Sequence, residues 1–315
     1  MSLHTTQPAP RISVASIREA RSRIDPEFLN SRFAEHDVLS TAVGARLLCK
    51  IEAENAVRSF KGRGAQSFIN ALARCPAGVM TASAGNFGLA LTYAAHKRNI
   101  ATTVYAAETA NPAKLDLMRS AGAIVEVFGQ DLDEAKKEAR DVAGKGNIPF
   151  VEDGREPEIS AGAGTMAMEI TAWPQFINSI LVPLGNGALL AGIGCWFRAY
   201  SPMTQIVGVC AEGAPSMALS WRSGRLQTTE AVNTIADGIA VRVPVPEALD
   251  DIRGVIDDVV LVSEDALKHA VELLRGSLAL VCEPAGAAGV AALLSHSRLS
   301  KGLVCTPITG ANIRT

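Results

Sequence analysis

The stretch GVMTASAGNFGLALTYAAHKRNIATTVYAA, residues 78–107, decides the fold of this chain. Its first five residues form an apolar run that predicts a short β-strand, and residues 87–98 have the pattern of a helix. Residues 100–107 are a second apolar run, which predicts the next strand. A strand, a helix and another strand in this order are typical of parallel strands covered by helices.

The same alternation continues towards the C-terminus. Further strands are predicted at residues 124–128, 180–184, 205–210, 258–262 and 303–306, and further helices at 112–121, 132–143, 188–199, 264–275 and 287–295. Ser263 is placed to cap the helix at 264–275, and the acidic Glu264 and Asp265 favour its positive end. The polar stretch 144–157, with its glycines and prolines, indicates a return from one domain to another.

The composition is that of a soluble globular enzyme. Hydrophobic residues make up 48% and charged residues 20% of the 315 positions. A net charge of −2 gives the chain no strong positive field that would attract nucleic acid or an anionic membrane. The first 18 residues have no apolar signal core. Residues 178–197 carry no charge, but Pro183, Asn186 and four glycines suit a strand, a loop and a buried helix better than a membrane span.

The six cysteines lack the C-x-x-C spacing of metal sites, and most lie in apolar runs. We interpret them as buried, reduced thiols of a cytoplasmic protein.

Two segments carry candidate groups for binding a substrate. In SFKGRGA, residues 59–65, Lys61 begins a predicted helix. It is either a solvated surface charge or an amine that forms a Schiff base. In TASAGNFG, residues 81–88, small residues let backbone N–H groups approach a ligand where a strand meets a helix. The helix N-terminus favours an anion such as a carboxylate, although an ordinary turn has the same sequence character.

Two later segments carry candidate groups for binding a cofactor. GNGAL, residues 185–189, is interpreted as a phosphate cradle of main-chain amides. A dinucleotide site is the alternative, since Glu212 closes the following strand, but Leu190 stands where the third glycine of G-x-G-x-x-G belongs. In TGAN, residues 309–312, the Thr309 hydroxyl could bond a ring nitrogen or simply belong to a turn.

In this order, the four segments resemble those of the fold type II (tryptophan-synthase-like) pyridoxal-phosphate enzymes. Within that group the chain is most similar to the threonine/serine dehydratases and serine racemases, from about residue 17 to residue 313. The resemblance implies an α/β fold of two open parallel-sheet domains with the cofactor cleft between them. A large cofactor-binding domain would contain residues 1–76 and 151–315, and a small substrate-carboxylate domain residues 77–150.

The resemblance also implies a role for each site residue. Lys61 would be catalytic and carry pyridoxal 5′-phosphate as a Schiff base, Phe60 would pack on the ring and Thr309 would pair with its nitrogen. Further cofactor contacts would come from Asn86, Gly185, Asn186, Gly187, Ala188, Leu189, Gly238 and Glu283. The substrate carboxylate would lie against Ser83, Ala84, Gly85, Asn86 and Phe87. Glu283 could equally be an ordinary carboxylate at a helix N-terminus.

Several departures from the family pattern reduce the set of reactions that we expect of this chain. The racemases have a serine, their second acid/base, where this chain has Ala84, so racemisation loses a proton carrier. Cys210 and Ser216 stand where the racemases place carboxylate ligands, so no Mg²⁺ or Ca²⁺ is expected there, whereas a monovalent ion stays open. Phe87 replaces the usual histidine. Threonine itself is therefore not assured as the substrate.

We expect an ammonia-lyase (dehydratase) that converts a threonine- or serine-like β-hydroxy amino acid to a 2-oxo acid and ammonia. A neutral hydroxyl from Thr309 on the ring nitrogen makes the ring a weaker electron sink, which suits β-elimination. The alternatives are a cysteine- or threonine-synthase-like enzyme of β- or γ-replacement, an amino-acid racemase, a nicotinamide-dependent dehydrogenase and a catalytically silent binding protein. A cytoplasmic homodimer without nucleic-acid or membrane partners is expected.

Overall fold

Strands of this protein lie in two separate sheets. A computed structural model describes residues 11–313. Within that part of the chain the strands are β1 Phe33–Glu35, β2 Arg46–Ile51, β3 Gly78–Ala82, β4 Ala101–Ala106, β5 Ile124–Val127, β6 Ser179–Pro183, β7 Gln205–Ala211, β8 Asp258–Val262 and β9 Leu303–Ile308. The larger sheet has the order β1-β2-β9-β6-β7-β8, and the smaller sheet has the order β3-β4-β5.

All neighbouring strands are parallel except at one edge. β1 runs antiparallel to β2, with Ala34 opposite Cys49. The connection from residue 36 to residue 45 is short, whereas a parallel crossover needs a dozen or more residues, so the chain returns antiparallel. The prediction of open parallel sheets in an α/β protein is therefore confirmed, with this one strand as an exception.

Helices connect and cover the strands. They are α1 Val14–Arg23, α2 Asp37–Val43, α3 Lys61–Ala71, α4 Asn86–His96, α5 Pro112–Ser120, α6 Leu132–Gly146, α7 Pro157–Thr171, α8 Ala188–Tyr200, α9 Ser216–Ser223, α10 Pro246–Ile252, α11 Glu264–Leu278 and α12 Ala288–Ser295. The predicted cap is confirmed, because the Ser263 hydroxyl accepts a hydrogen bond from the Ala266 N–H.

Every predicted strand and helix is present, with ends that differ by at most three residues. The helix α7 was not predicted, because it has no polar face. It packs so closely on α8 that a Cβ on Gly164 would lie 3.0 Å from the Gly192 Cα, and one on Gly162 would lie 2.5 Å from the Arg63 carbonyl oxygen of α3. A helix buried on several sides lacks the amphipathic period that sequence reasoning detects.

Apolar side chains fill both faces of the larger sheet. One cluster joins α1, α7 and α8 to the sheet through residues such as Ile17, Met166 and Leu190. A second cluster joins α2, α11 and α12 to the opposite face. The residues that follow β6 and β9 are therefore held by a packed core, which gives the loops at the carboxyl ends of these strands fixed positions.

The charge-free stretch 178–197 forms β6, a turn and the start of α8, as predicted. Within residues 11–313, no helix is both long enough and apolar enough to cross a membrane. All six cysteines are free thiols, and four of them are buried.

Candidate active site

A cavity opens where the carboxyl ends of strands from both sheets meet. Ser83 follows β3, Gly185 follows β6 and Thr309 follows β9, and all three line the cavity. Ligands of open α/β sheets bind at this end of the strands, in the crevice outside the sheet. The fifteen residues that the sequence analysis selected all line this cavity: Phe60, Lys61, Ser83, Ala84, Gly85, Asn86, Phe87, Gly185, Asn186, Gly187, Ala188, Leu189, Gly238, Glu283 and Thr309.

Lys61 is the first residue of α3, and its backbone is fastened to the end of β9. The Phe60 N–H donates to the Thr309 carbonyl at 3.0 Å, and Ser59 forms a β-bridge with Gly310. The side chain of Lys61 is 15% exposed, and its Nζ donates to the Asp153 carboxylate at 2.6 Å. A solvated surface charge is therefore excluded, and a primary amine lies inside the cavity.

The turn from Ser83 to Phe87 is held by its own hydrogen bonds. The Ser83 hydroxyl accepts from the N–H groups of Gly85 at 3.3 Å and Gly88 at 3.0 Å, which ties the turn to the first turn of α4. The Asn86 side chain donates to Glu283 at 2.6 Å and accepts from Asn312 at 2.8 Å. Because both ends of this amide are engaged, Asn86 has one fixed orientation at the N-terminus of a helix.

The turn from Gly185 to Leu189 leaves no room for side chains on its glycines. A Cβ on Gly185 would lie 2.9 Å from the Gly238 carbonyl oxygen. Gly187 has a φ of 95°, a left-handed conformation that favours glycine, and it precedes the 13-residue helix α8. Main-chain N–H groups therefore line this turn at the positive end of a helix, which is the chemistry of a phosphate site.

Glu283 is a buried carboxyl that does not cap the following helical turn. Its side chain makes no capping hydrogen bond, and it accepts instead from Asn86 across the cavity. Burial raises the pKa of Glu283 to about 7, although the Lys114 ammonium opposes this shift. The side chain of Glu283 therefore lies in the cavity and does not act as the carboxylate of a helix N-terminus.

Sequence reasoning missed several charged residues of the cavity, among them Asp153 and Lys114. Asp153 pairs with Lys61, and the Lys114 ammonium lies 2.6 Å from Asp237 and 3.9 Å from Glu283. The signal for Lys114 was its place in the first turn of α5, after a strand that ends at the same edge as β3. Asp153 carried no signal, because the segment 149–156 is neither strand nor helix.

The residues of the cavity fit a phosphorylated aromatic aldehyde such as pyridoxal phosphate. A primary amine, the Phe60 ring and an amide-lined turn without side chains surround one space. The ammonium of Lys61 lies 4.6 Å from the centre of the Phe60 ring. These are the groups that an aldehyde, an aromatic ring and a phosphate respectively need.

The raised pKa of Glu283 predicts a pH-dependent stability. The folded protein keeps the proton on this carboxyl up to about pH 7, whereas an unfolded glutamate loses it near its ordinary value. The folded state therefore binds more protons between these values, and the free energy of unfolding falls as pH rises through this range. In protein stripped of bound small molecules, Glu283→Gln should remove this fall.

Urea unfolding of both proteins at pH 5 and pH 8 checks this expectation. The stability of Glu283→Gln relative to the unsubstituted protein should be higher at pH 8 than at pH 5. An equal difference at both pH values would contradict a proton on Glu283.

Comparison with known proteins agrees with the geometry of the cavity. A family model described as pyridoxal-phosphate dependent enzyme matches residues 25–310. An L-threonine ammonia-lyase of Thermotoga maritima is 32% identical over 304 residues, which are 96% of this chain and 76% of that protein. A catabolic L-threonine dehydratase of Staphylococcus aureus is 30% identical and covers 98% of this chain and 91% of its own length.

Solved structures show the same fold. A threonine deaminase from the organism abbreviated T.th. superposes with a TM-score of 0.90 at 31% identity, covering 95% of this chain and 98% of that chain. A serine racemase of maize has a TM-score of 0.90 at 26% identity and covers 96% of this chain and 94% of its own. The cavity presents the partly buried amine of Lys61 and a phosphate-type turn, residues 185–189, and this chain belongs to the family of pyridoxal-phosphate dependent enzymes.

Proposed function

We propose that this protein is an ammonia-lyase that converts a small β-hydroxy amino acid to a 2-oxo acid and ammonia. The observation that carries the proposal is the partly buried amine of Lys61 in the same cavity as the turns at Ser83 and Gly185. Relatives named L-threonine ammonia-lyase and L-threonine dehydratase, of which the matches cover 76% and 91%, support elimination as the reaction.

The cofactor would be held by residues of both sheets. We assign the covalent bond to Lys61, the ring faces to Phe60 and Gly238, and the ring nitrogen to Thr309. Asn86 and Glu283 would contact the ring edge, and the main chain of Gly185, Asn186, Gly187, Ala188 and Leu189 would hold the phosphate. When bound, the cofactor withdraws electrons from the substrate and so acidifies its Cα–H bond.

The remaining steps belong to side chains and amides of this chain. The turn Ser83, Ala84, Gly85, Asn86 and Phe87 would bind the substrate carboxylate through its N–H groups. Lys61, once displaced by the substrate amine, would take the Cα proton. Its 15% exposure restricts water at the nitrogen.

The side chain of residue 84 favours a lyase over a racemase. Racemisation needs a proton donor on the face of the substrate opposite Lys61, and the methyl group of Ala84 holds no proton. A replacement synthase would need a second nucleophile as co-substrate. The nicotinamide-dependent alternative is abandoned, because the chain belongs to a pyridoxal-phosphate family and the exposed Glu212 lies outside the cavity.

We also propose the organisation that the family resemblance implies. Residues 1–76 and 151–315 would form a large cofactor-binding domain, and residues 77–150, which contain the smaller sheet, a small domain. The free thiols suit the reducing cytoplasm. The substrate would be a small amino acid, and the assembly a homodimer.

An assay of product release tests the proposed reaction. Purified protein saturated with pyridoxal phosphate should release a 2-oxo acid and ammonia from L-serine or L-threonine without a second substrate. A product that forms only when sulfide is added would favour a synthase, and D-serine formed from L-serine would favour a racemase. Either result would overturn the lyase assignment.

A further inference from the structure

Asp153 is a buried carboxylate whose cationic partner is the cofactor-binding lysine. The side chain is 8% exposed, and Oδ2 lies 2.6 Å from the Lys61 Nζ. Its other oxygen, Oδ1, is buried and accepts no hydrogen bond from any residue that the structure describes. One oxygen of this carboxylate therefore has no hydrogen-bond partner even while the other is paired with Lys61.

The position of Asp153 lies between the two turns that the substrate and cofactor would contact. The segment before it runs beside β3, with the Val151 N–H donating to the Met80 carbonyl at 2.7 Å. On the other side, a Cβ on Gly154 would lie 2.6 Å from the Asn186 carbonyl oxygen, so the segment packs on the phosphate-type turn. The segment therefore contacts the strand before the first turn and also the second turn, and Asp153 lines the same cavity as both turns.

Other cations of the cavity already have carboxylate partners. Lys114 pairs with Asp237 at 2.6 Å, Lys136 with Glu152 at 3.0 Å, and the Arg242 side chain with Asp131 and Asp133 at the cavity rim. When the nitrogen of Lys61 is bonded to the cofactor, Asp153 loses its ammonium partner and none of these cations is free to replace it. An unpaired buried carboxylate is costly, so a cation brought by the substrate is favoured there.

We propose that Asp153 determines the substrate specificity of this site and selects 2,3-diamino acids, which carry a second ammonium group on Cβ. The ammonium of the substrate takes the place of the Lys61 ammonium beside Asp153. This inference rests on the proposed elimination chemistry and extends it from a β-hydroxyl to a β-ammonium leaving group.

The chemistry of the leaving group agrees with a carboxylate at this position. A hydroxyl group needs a proton before it leaves, and an ionised carboxylate has none to donate. A β-ammonium group already carries its proton. The Cα–H bond breaks with its proton moving to Lys61, and the Cβ–N bond breaks with its electron pair leaving on neutral ammonia. Water then hydrolyses the unsaturated product to a 2-oxo acid and a second ammonia, with no net oxidation.

A comparison of two substrates tests the specificity of the holoenzyme. The kcat/KM for 2,3-diaminopropionate should exceed that for serine by about tenfold or more, which is the usual effect of one buried charge pair. Asp153→Asn, which keeps the shape and removes the charge, should lower this ratio at least about tenfold. The matched control is Asp133→Asn, a cavity-rim carboxylate already paired with Arg242 at 2.9 Å, which should keep the ratio.

A binding measurement gives a readout that does not depend on turnover. In cofactor-free Lys61→Ala, Asp153 lacks its ammonium, so 2,3-diaminopropionate should raise the melting temperature more than serine does. The double variant with Asp153→Asn should respond equally to both ligands. An equal response already in Lys61→Ala would overturn the role of Asp153.

The outcomes separate this inference from the proposed function. Rapid release of a 2-oxo acid from serine, with slower release from 2,3-diaminopropionate, would overturn the specificity and leave the lyase intact. If neither compound yields a 2-oxo acid, the elimination reaction is wrong, and the specificity for a diamino substrate falls with it.

Discussion

Lys61→Ala is expected to lower 2-oxo acid release by at least about 10³-fold, because in the proposed mechanism one side chain is both covalent anchor and proton carrier. Borohydride treatment of the unsubstituted holoprotein should attach the cofactor permanently to Lys61. Intact mass and peptide mapping should show this adduct, which should be absent from Lys61→Ala.

Lys61→Arg is the matched variant. An arginine retains the positive charge beside Asp153 and so preserves the buried ion pair, but a guanidinium does not bond to an aldehyde as an amine does. The melting temperature of Lys61→Arg should lie closer to that of the unsubstituted protein than the melting temperature of Lys61→Ala does. Turnover should still be lost in Lys61→Arg. Normal turnover in Lys61→Ala would contradict the mechanism.

Arg63→Ala should cost about 3–5 kcal/mol of unfolding free energy, the usual effect of breaking a buried ion pair. The side chain of Arg63 is 0% exposed and makes paired hydrogen bonds to Glu52 at 2.8 Å and to Glu169 at 2.7 and 3.0 Å. Burial alone would raise the pKa of Glu169, but the hydrogen bonds from Arg63 lower it to about 2. Removing the guanidinium would leave Glu52 in the core without a cation, and Glu169 would keep only Lys50 at 2.6 Å and Arg21 at 3.6 Å.

Arg32→Ala provides a control for the burial of this pair. Arg32 also holds a glutamate, Glu54, through two hydrogen bonds of 2.8 Å, but both side chains are nearly half exposed. Its loss should cost less than about 1 kcal/mol, because water solvates both charges. Denaturant unfolding measures both effects. Similar losses for the two variants would show that burial is not what makes Arg63 important.

Arg63 also links stability to the site. It lies two residues after Lys61 in α3 and ties this helix to Glu52, which follows β2, and to Glu169 of α7. A change in this network would therefore shift the first turn of α3. We attribute the buried position of Lys61 to this anchorage together with the bond from Phe60 to Thr309.

Local patterns predicted most of the fold. Strands such as β3 and β8 were predicted with their observed ends, because a short apolar run between polar turns is a local signal. The strand β1 and the short or terminal helices α1, α2, α9 and α10 were not predicted. The strand β2 and the helix α7 were missed as well. Both are largely buried, and burial on several sides removes the alternation of polar and apolar residues that such predictions need.

Local patterns likewise predicted some parts of the candidate site and not others. The glycine-bearing turns after β3, β6 and β9 were found because their small residues follow a strand directly. Their meeting in one cavity follows from parallel strands, whose carboxyl ends share an edge. The side-chain role of Glu283 was not decided by its position before a helical turn. Its bond to Asn86, 197 residues away, decided it.

What this sequence determined by itself was the order of strands and helices and the turns suited to an amine, a carboxylate and a phosphate. These depend on residues close together in the chain. Only the tertiary structure decided the charge partners, Asp153 for Lys61 across 92 residues and Asp237 for Lys114 across 123. Ion pairs form between atoms a few ångströms apart, and the distance between such residues is set by how the two sheets meet and not by their separation along the chain.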